Sequence, residues 1–384
     1  MLSLPQLTTA DFTPLWPALI LSAAACLVLL SEVFLSSASR SFQAPLAVGS
    51  TVLAGVVAAA SSFSAPFEVF RGFAVQDPFG SLVSLVVCVG VGLASLLAPA
   101  FLRGRHAERG EFYALVLFGG AGMSLLGVSN ELILLFINLE ILSVATYALA
   151  SYLRRGPRPA EAGFKYFILG AFSSAVLLYG TALLFGATQS TLLPQMSGML
   201  ARIFSDPVLA DRRPLAYCGL ALVGAGFGFK IAAVPFHMWT PDVYEGAPTP
   251  ATAFFSVAPK VAALALFVRV MIYAFGELVD QWQQIIMAIS VASMILGALA
   301  AINQRSIKRL MAYSSIGHVG YALIGLAAGT PAGVRGILIY MAIYIFMNIG
   351  TFAVILCMRR EGRLVEGIDD LAGLARTQPM LAAA

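Results

Sequence analysis

GFGFKIAAVPFHMWTPDVYEGAP, residues 226–248, sets Lys230 inside an apolar run and follows it closely with Pro235 and His237. A charge near mid-membrane costs roughly 2.5–3.5 kcal/mol on insertion scales. What Lys230 is for therefore depends on whether this run crosses a bilayer. Pro235 removes a helical hydrogen bond, and Gly224, Gly226 and Gly228 weaken the helix ahead of it. The stretch reads as a helix broken beside a cation. Unwound backbone at membrane depth is tolerated only where it is buried in protein or lines a wet cavity. Transporters use such discontinuous helices as ion sites. The GxGxG run from Gly224 to Gly228 lacks the preceding strand and the spacing of a nucleotide-binding loop, which excludes that function.

The rest of the chain supports a membrane setting. Of its 384 residues, 59% are hydrophobic and 11% charged, and the mean hydropathy is +0.88. A soluble domain carries roughly 25% charged residues. About 20 apolar residues span the hydrocarbon core as helix. Eleven stretches qualify, at 15–36, 44–65, 78–101, 111–129, 131–153, 162–186, 214–239, 249–273, 283–302, 310–329 and 334–357. The expected fold is all-α, a polytopic transmembrane helix bundle. Only the connection at 187–213 is long enough for more than a turn. The first span has no basic flank and is too long for a signal core, so it reads as a retained helix. Cys26, Cys88, Cys218 and Cys357 are far apart, which suits neither a disulfide framework nor a metal site. The net charge of +4 sits mostly in loops and points to topology, with no nucleic acid implied.

Positive residues favour cytoplasmic loops. Loops after odd-numbered spans hold 13 Lys and Arg, among them Arg40, Arg103, Arg155, Lys308 and Arg359; loops after even-numbered spans hold five. The N-terminus is expected outside and residue 384 on the cytoplasmic side.

Lysine is used differently from arginine. The chain has 19 arginines and four lysines, and three of the four, Lys165, Lys230 and Lys260, fall inside spans; Lys308 is assigned to a loop. Arginine essentially never deprotonates in a protein, whereas a buried lysine can. Lysine within the membrane and arginine at its surface suggest groups selected to lose a proton. Two bland readings compete: an ion pair that only holds helices together, and, for Lys165 near its span's start, a stem that snorkels to the interface. Glu140 is the one acid at the centre of a span, and with Ser143, Tyr147 and Ser151 it occupies one helical face. Thr249, Thr252, Ser256 and Lys260 repeat that spacing, and Ser314, His318 and Tyr321 share a face in the tenth span. Packing through hydroxyl residues explains the serines and threonines; it does not explain a titratable group on each stripe. Charges ~6 Å apart at an effective dielectric of ~20 attract by roughly 3 kcal/mol. Moving Glu140 would thus switch Lys230 between holding and releasing its proton.

Four segments carry a family resemblance: the run 226–270, FINLEILSVATYALASY (136–152), KYFILGAFSSAVLLYG (165–180) and INQRSIKRLMAYSSIGHVGYALIGL (302–326). They closely resemble subunit N of bacterial respiratory complex I, the proton-translocating NADH:quinone oxidoreductase, an antiporter-like membrane subunit. The resemblance covers about residues 75–380, and PFHMWTPDVYEGAP is its most specific part. It implies that Glu140 modulates Lys230, the proton carrier on the broken seventh helix. It implies that Lys260 is the connecting lysine, that Lys165 belongs to the same hydrophilic axis, and that His318 matches a polar position of the tenth helix. It further implies helices 1–3 over 1–110, a first five-helix repeat over 111–275 and the start of an inverted second repeat over 276–384. The second broken helix is not in the sequence, and a chain of this length is expected not to pump alone. No cofactor is implied here; NADH, FMN, iron–sulfur clusters and quinone would sit in partner subunits. The implied partners are other membrane subunits of that complex, including sibling antiporter-like ones, with the bilayer, protons and water, in the bacterial inner membrane. The alternatives are a cation/proton antiporter subunit of a multisubunit exchanger or membrane-bound hydrogenase, and a scaffold whose buried charges only lock helices.

Overall fold

The computed structural model describes residues 9–35, 41–154, 156–360 and 363–383. Arg40, Arg155 and residue 384, used above for orientation, lie outside the described residues. Among the described residues, eleven helical stretches are long and apolar enough to cross a membrane, from Asp11–Phe34 to Pro331–Cys357, and each overlaps an expected span. The first six crossings contain α1 (Trp16–Phe34), α2 (Gln43–Ser61), α3 (Pro78–Arg103), α4 (Gly110–Val128), α5 (Leu132–Ala150) and α6 (Pro157–Thr188). Within the expected long connection, α7 (Leu193–Ser205) buries Leu193, Met196, Leu200 and Ile203 along one stripe.

The seventh crossing is broken, as Pro235 suggested, but the glycines have a different role. The helix α8 (Arg213–Ile231) runs unbroken through Gly224, Gly226 and Gly228 and stops at Ala232, whose φ is 62°. A Cβ on Gly226 would lie 2.8 Å from Leu177 of α6, and one on Gly228 would lie 2.7 Å from Phe236. These glycines admit close neighbours; they do not unwind the helix. After the turn comes α9 (Thr240–Gly246). The eighth crossing is also two helices, α10 (Thr249–Ser256) and α11 (Ala258–Tyr273), separated at Val257 (φ −116°, ψ −85°). The stripe from Thr249 to Lys260 therefore crosses a break. Thr252 and Ser256 bond back to Tyr244 and Ala253 carbonyls, while Lys260 turns to another helix.

The eighth crossing is the centre of the bundle, with 94% of its apolar window buried against 22% for the ninth. It packs through α11 on α3, α4 and α8. The remaining crossings contain α12 (Val279–Ile302), α13 (Ile307–Ala327) and α14 (Pro331–Cys357), with α12 lying along α13.

Residues 62–77 hold more than the expected short connection. They form an antiparallel hairpin of β1 (Phe67–Val69) and β2 (Ala74–Gln76), with Phe67 opposite Gln76. The turn needs a left-handed backbone, supplied partly by Gly72 (φ 88°). Asn130, between α4 and α5, ties the hairpin down: its N–H donates to Phe73 O at 2.9 Å and its side-chain amide to Gly72 O at 3.1 Å.

Two basic residues depart from the expected pattern. Lys308 is not in a loop. It lies in the first turn of α13, 3% exposed, donating to Ala247 O at 3.0 Å and pairing with Glu366 at 3.3 Å. The polar first turn of α13 hides its start from a hydropathy reading. Arginine is also not confined to loops: Arg269 lies inside α11 at 1% exposure.

Candidate functional site

Lys230 is in the last turn of α8, where the negative end of the helix dipole favours a cation. Its Nζ donates to Ser143 Oγ at 2.7 Å and Ser174 Oγ at 3.2 Å, with Glu140 Oε1 and Tyr147 Oη each at 3.5 Å. The α5 face expected from spacing thus meets Lys230 through Glu140, Ser143 and Tyr147. Ser151, at the end of that helix, bonds only back to Tyr147 and Ala148 carbonyls. Ser174 on α6 donates to Glu140 Oε1 at 2.5 Å while accepting from Lys230. A hydroxyl so placed can take a proton from the ammonium as it hands its own to the carboxylate. Nothing in the α6 sequence marked Ser174 over its neighbour Ser173. Only the packing of α5, α6 and α8 selects it.

The break after α8 is held by side chains. Trp239 Nε1 donates to Phe229 O at 3.0 Å, and Val234 N donates to Ser293 Oγ at 3.0 Å. Rings lead away from the Lys230 cluster: Tyr147 meets Tyr166 at 4.8 Å, and Tyr166 stacks on Trp239 at 4.4 Å and meets Phe255 at 5.9 Å.

Lys260, 3% exposed, stands in a second cluster. Its Nζ donates to Ser315 Oγ at 2.5 Å and lies 5.4 Å from the Tyr244 ring. Ser315 and Tyr344 Oη share a hydrogen bond of 2.5 Å. The His318 ring is 5.2 Å from that of Tyr344, and its Nδ1 shares a 2.5 Å bond with Tyr340 Oη. In the tenth span the serine that meets the lysine is Ser315, next to the Ser314 of the expected stripe. Spacing along one helix cannot fix which of two adjacent serines faces another helix.

Lys165 belongs to neither cluster. It is 41% exposed, pairing with Glu161 at 2.7 Å and Asp242 at 2.9 Å. Arg309 of α13 completes a lattice, reaching Asp242 at 2.7 Å and Glu245 at 3.0 Å. These residues line a cavity of about 260 Å³. Burial would raise the Asp242 carboxyl, but bonds from Lys165 and Arg309 outweigh it and bring it below its ordinary value. No group of three or more His, Cys, Asp or Glu that could hold a metal occurs among the described residues.

The family described as "NADH:quinone oxidoreductase/Mrp antiporter, TM" matches residues 129–384. NADH-quinone oxidoreductase subunit N of Myxococcus xanthus is 52% identical, over 98% of this chain and 78% of that protein. A chain of respiratory complex I from Thermus thermophilus superposes with a TM-score of 0.77 at 32% identity, covering 96% of this chain and 76% of the other. A chain of the Mrp complex from Dietzia superposes with a TM-score of 0.81 at 22% identity, covering 98% and 69%, a likeness of fold alone.

Proposed function

The chain belongs to the subunit N line of the NADH:quinone oxidoreductase and Mrp antiporter membrane family, and on that premise we propose that Glu140, Lys230 and Lys260 carry its protons. Its function is that of an antiporter-like, proton-translocating membrane subunit of NADH:quinone oxidoreductase. The observation that carries the residue assignment is the Lys230 nest. One buried ammonium is held by Ser143, Ser174 and Glu140, brought from two other helices, at 2.7–3.5 Å. A scaffold needs only the ion pair. The bridging Ser174 hydroxyl supplies a path for exchange.

In this reading Glu140 sets the hold on Lys230's proton, and Ser174 relays between them. Lys260 receives protons from the Lys230 side and passes them through Ser315 and Tyr344 toward His318. Lys165 and its lattice with Asp242 and Arg309 form the mouth on the arginine-rich side. That side is taken as cytoplasmic because basic residues remain in excess there, twelve against five without the buried Lys308, with the N-terminus periplasmic and the protein in the bacterial inner membrane. Helices α4 to α11, with residues 111–275, form the first antiporter-like repeat, and 276–384 open the second. NADH, FMN, iron–sulfur clusters and quinone are assigned to partner subunits, and the partners are the other membrane subunits of the complex. An exchanger subunit of the Mrp type remains the second reading. Identity of 52% against 22% favours the first.

The test replaces Lys230 with arginine in the assembled complex. A scaffold tolerates the change because the charge stays; a proton carrier fails because arginine keeps its proton. NADH-driven proton uptake into inverted vesicles is expected to fall at least tenfold. Undiminished uptake in Lys230→Arg and Lys260→Arg would remove both lysines from the pathway.

A further inference from the structure

Arg269 takes no part in the pathway above, yet it is the largest of the fully buried side chains. It sits nine residues beyond Lys260 on α11, about 14 Å along the helix axis. Every residue between them, Val261 to Val268, is apolar and buried. The guanidinium lies between the rings of Phe79 at 4.9 Å and Tyr273 at 5.4 Å. Its Nη2 donates to Asp77 Oδ1 at 2.9 Å and to Gly127 O at 2.7 Å. Asp77 Oδ1 also accepts from Gly80 N at 2.7 Å, capping α3. One side chain thus joins the end of α11 to the start of α3 and the end of α4. This is the end closed by the β1–β2 hairpin.

As a clamp the arrangement is uneconomical. A buried ion pair is often replaceable by apolar residues of similar volume at no loss of stability. Here the cost is raised further, because Nε and Nη1 of Arg269 are buried with no hydrogen-bond partner. What arginine offers that an apolar side chain does not is chemical. It presents five N–H donors, no acceptor, and a proton it does not release. A proton moves along a hydrogen-bonded wire only if each group accepts on one side and donates on the other. A donor-only group facing such a wire ends it, and its fixed positive charge adds an electrostatic barrier of the kind that excludes protons from pores. The same helix thus carries one buried cation that can give up a proton, Lys260, and one that cannot, Arg269.

We propose that Arg269, with the apolar layer between it and Lys260, is a proton stop. It closes the hairpin end of the first repeat, so that protons reaching Lys260 pass sideways to Ser315 and not out along α11. The proposal rests on the reading of Lys230 and Lys260 as proton carriers. Nε and Nη1 are the donors that would meet water penetrating from the hairpin end, and Gly127 O with the Phe79 and Tyr273 rings keeps the guanidinium in place whether or not residue 77 is charged.

The experiment uses the whole complex in proteoliposomes, with passive proton leak read under an imposed pH gradient and no NADH. Arg269→Lys keeps a cation but introduces a group able to pass a proton; leak is expected to rise severalfold. Arg269→Gln, which can both accept and donate, is expected to leak likewise. Asp77→Asn keeps the donor-only guanidinium, and its leak is expected to stay at the unmodified level. Leak equal to the unmodified complex in both assembled Arg269 variants would overturn the proposal. So would leak in Asp77→Asn as large as in Arg269→Lys, since the clamp alone would then be the seal. If the Arg269 variants do not assemble while Asp77→Asn assembles and is tight, the proposal is overturned in favour of a folding role. Lys230→Arg, run in parallel, separates the two readings. Lost pumping there with unchanged leak in the Arg269 variants refutes the stop and leaves the carriers standing.

Discussion

Glu140→Asp keeps the charge and the fold but changes one distance. Glu140 Oε1 lies 3.5 Å from Lys230 Nζ. At an effective dielectric of ~20 that pair attracts by about 4.7 kcal/mol. Shortening the side chain by one methylene withdraws the carboxylate by about 1.5 Å, and the attraction falls to about 3.3 kcal/mol at the same dielectric. The difference of ~1.4 kcal/mol corresponds to about a tenfold change in any equilibrium or rate it governs. NADH-driven proton uptake by Glu140→Asp complex should therefore drop about tenfold, and Glu140→Gln, which removes the whole attraction, should drop much further. The shorter side chain also leaves the Ser174 hydroxyl, now at 2.5 Å. Ser174→Ala measures that loss separately, a bond to a charged group being worth about 1.5–3 kcal/mol. The assay is pH-dye uptake into inverted vesicles, scaled to the amount of assembled complex by immunoblot. Equal uptake by Glu140→Asp and the unmodified protein would refute the distance argument. Normal uptake by Glu140→Gln would refute the coupling of these two groups altogether.

Gly170→Ala tests a contact that no charge argument would select. A Cβ there would overlap Tyr147 Oη, so the ring must leave the Lys230 nest; overpacking should cost about 1–3 kcal/mol, and pumping should fall although no polar group is lost. Normal pumping in a stably assembled Gly170→Ala complex would show that Tyr147 is dispensable. Ser315→Ala removes the 2.5 Å partner of Lys260 and should lower proton uptake while leaving the complex assembled, whereas Ser314→Ala should change little; the reverse result would refute Ser315 as the relay from Lys260. For Asp242 the sign follows from its depressed carboxyl. Its contribution to stability is present above the ordinary value of 3.8 and lost as pH falls through the lowered folded value. Asp242→Asn should thus lower the Tm of the purified protein at neutral pH, less so in high salt, with the gap closing as pH falls through the lowered folded value; a gap independent of pH would exclude the ion lattice as its source.

Much was legible in the residues themselves. Hydropathy located eleven crossings because the bilayer imposes a length that any helix must meet, and composition does not depend on packing. Glu140, Lys230 and Lys260 stood out because charge in such runs is costly enough to need a reason. Pro235 marked the broken helix because a missing N–H is a property of one residue. What the residues could not reveal is which side chain of one helix faces which of another. Ser174 over Ser173, Ser315 over Ser314, and the separation of Lys165 from Lys230 all depend on helix rotation and on breaks at Ala232 and Val257. The same holds for Gly226 and Gly228, which sit in an unbroken helix and leave room for Leu177 and Phe236. Arg269 shows the limit most clearly. The contrast of lysine within the membrane and arginine at its surface passed over it, and its meaning came only when α3, α4 and α11 converged, for a buried guanidinium is defined by the partners it reaches and the two donors it leaves unpaired.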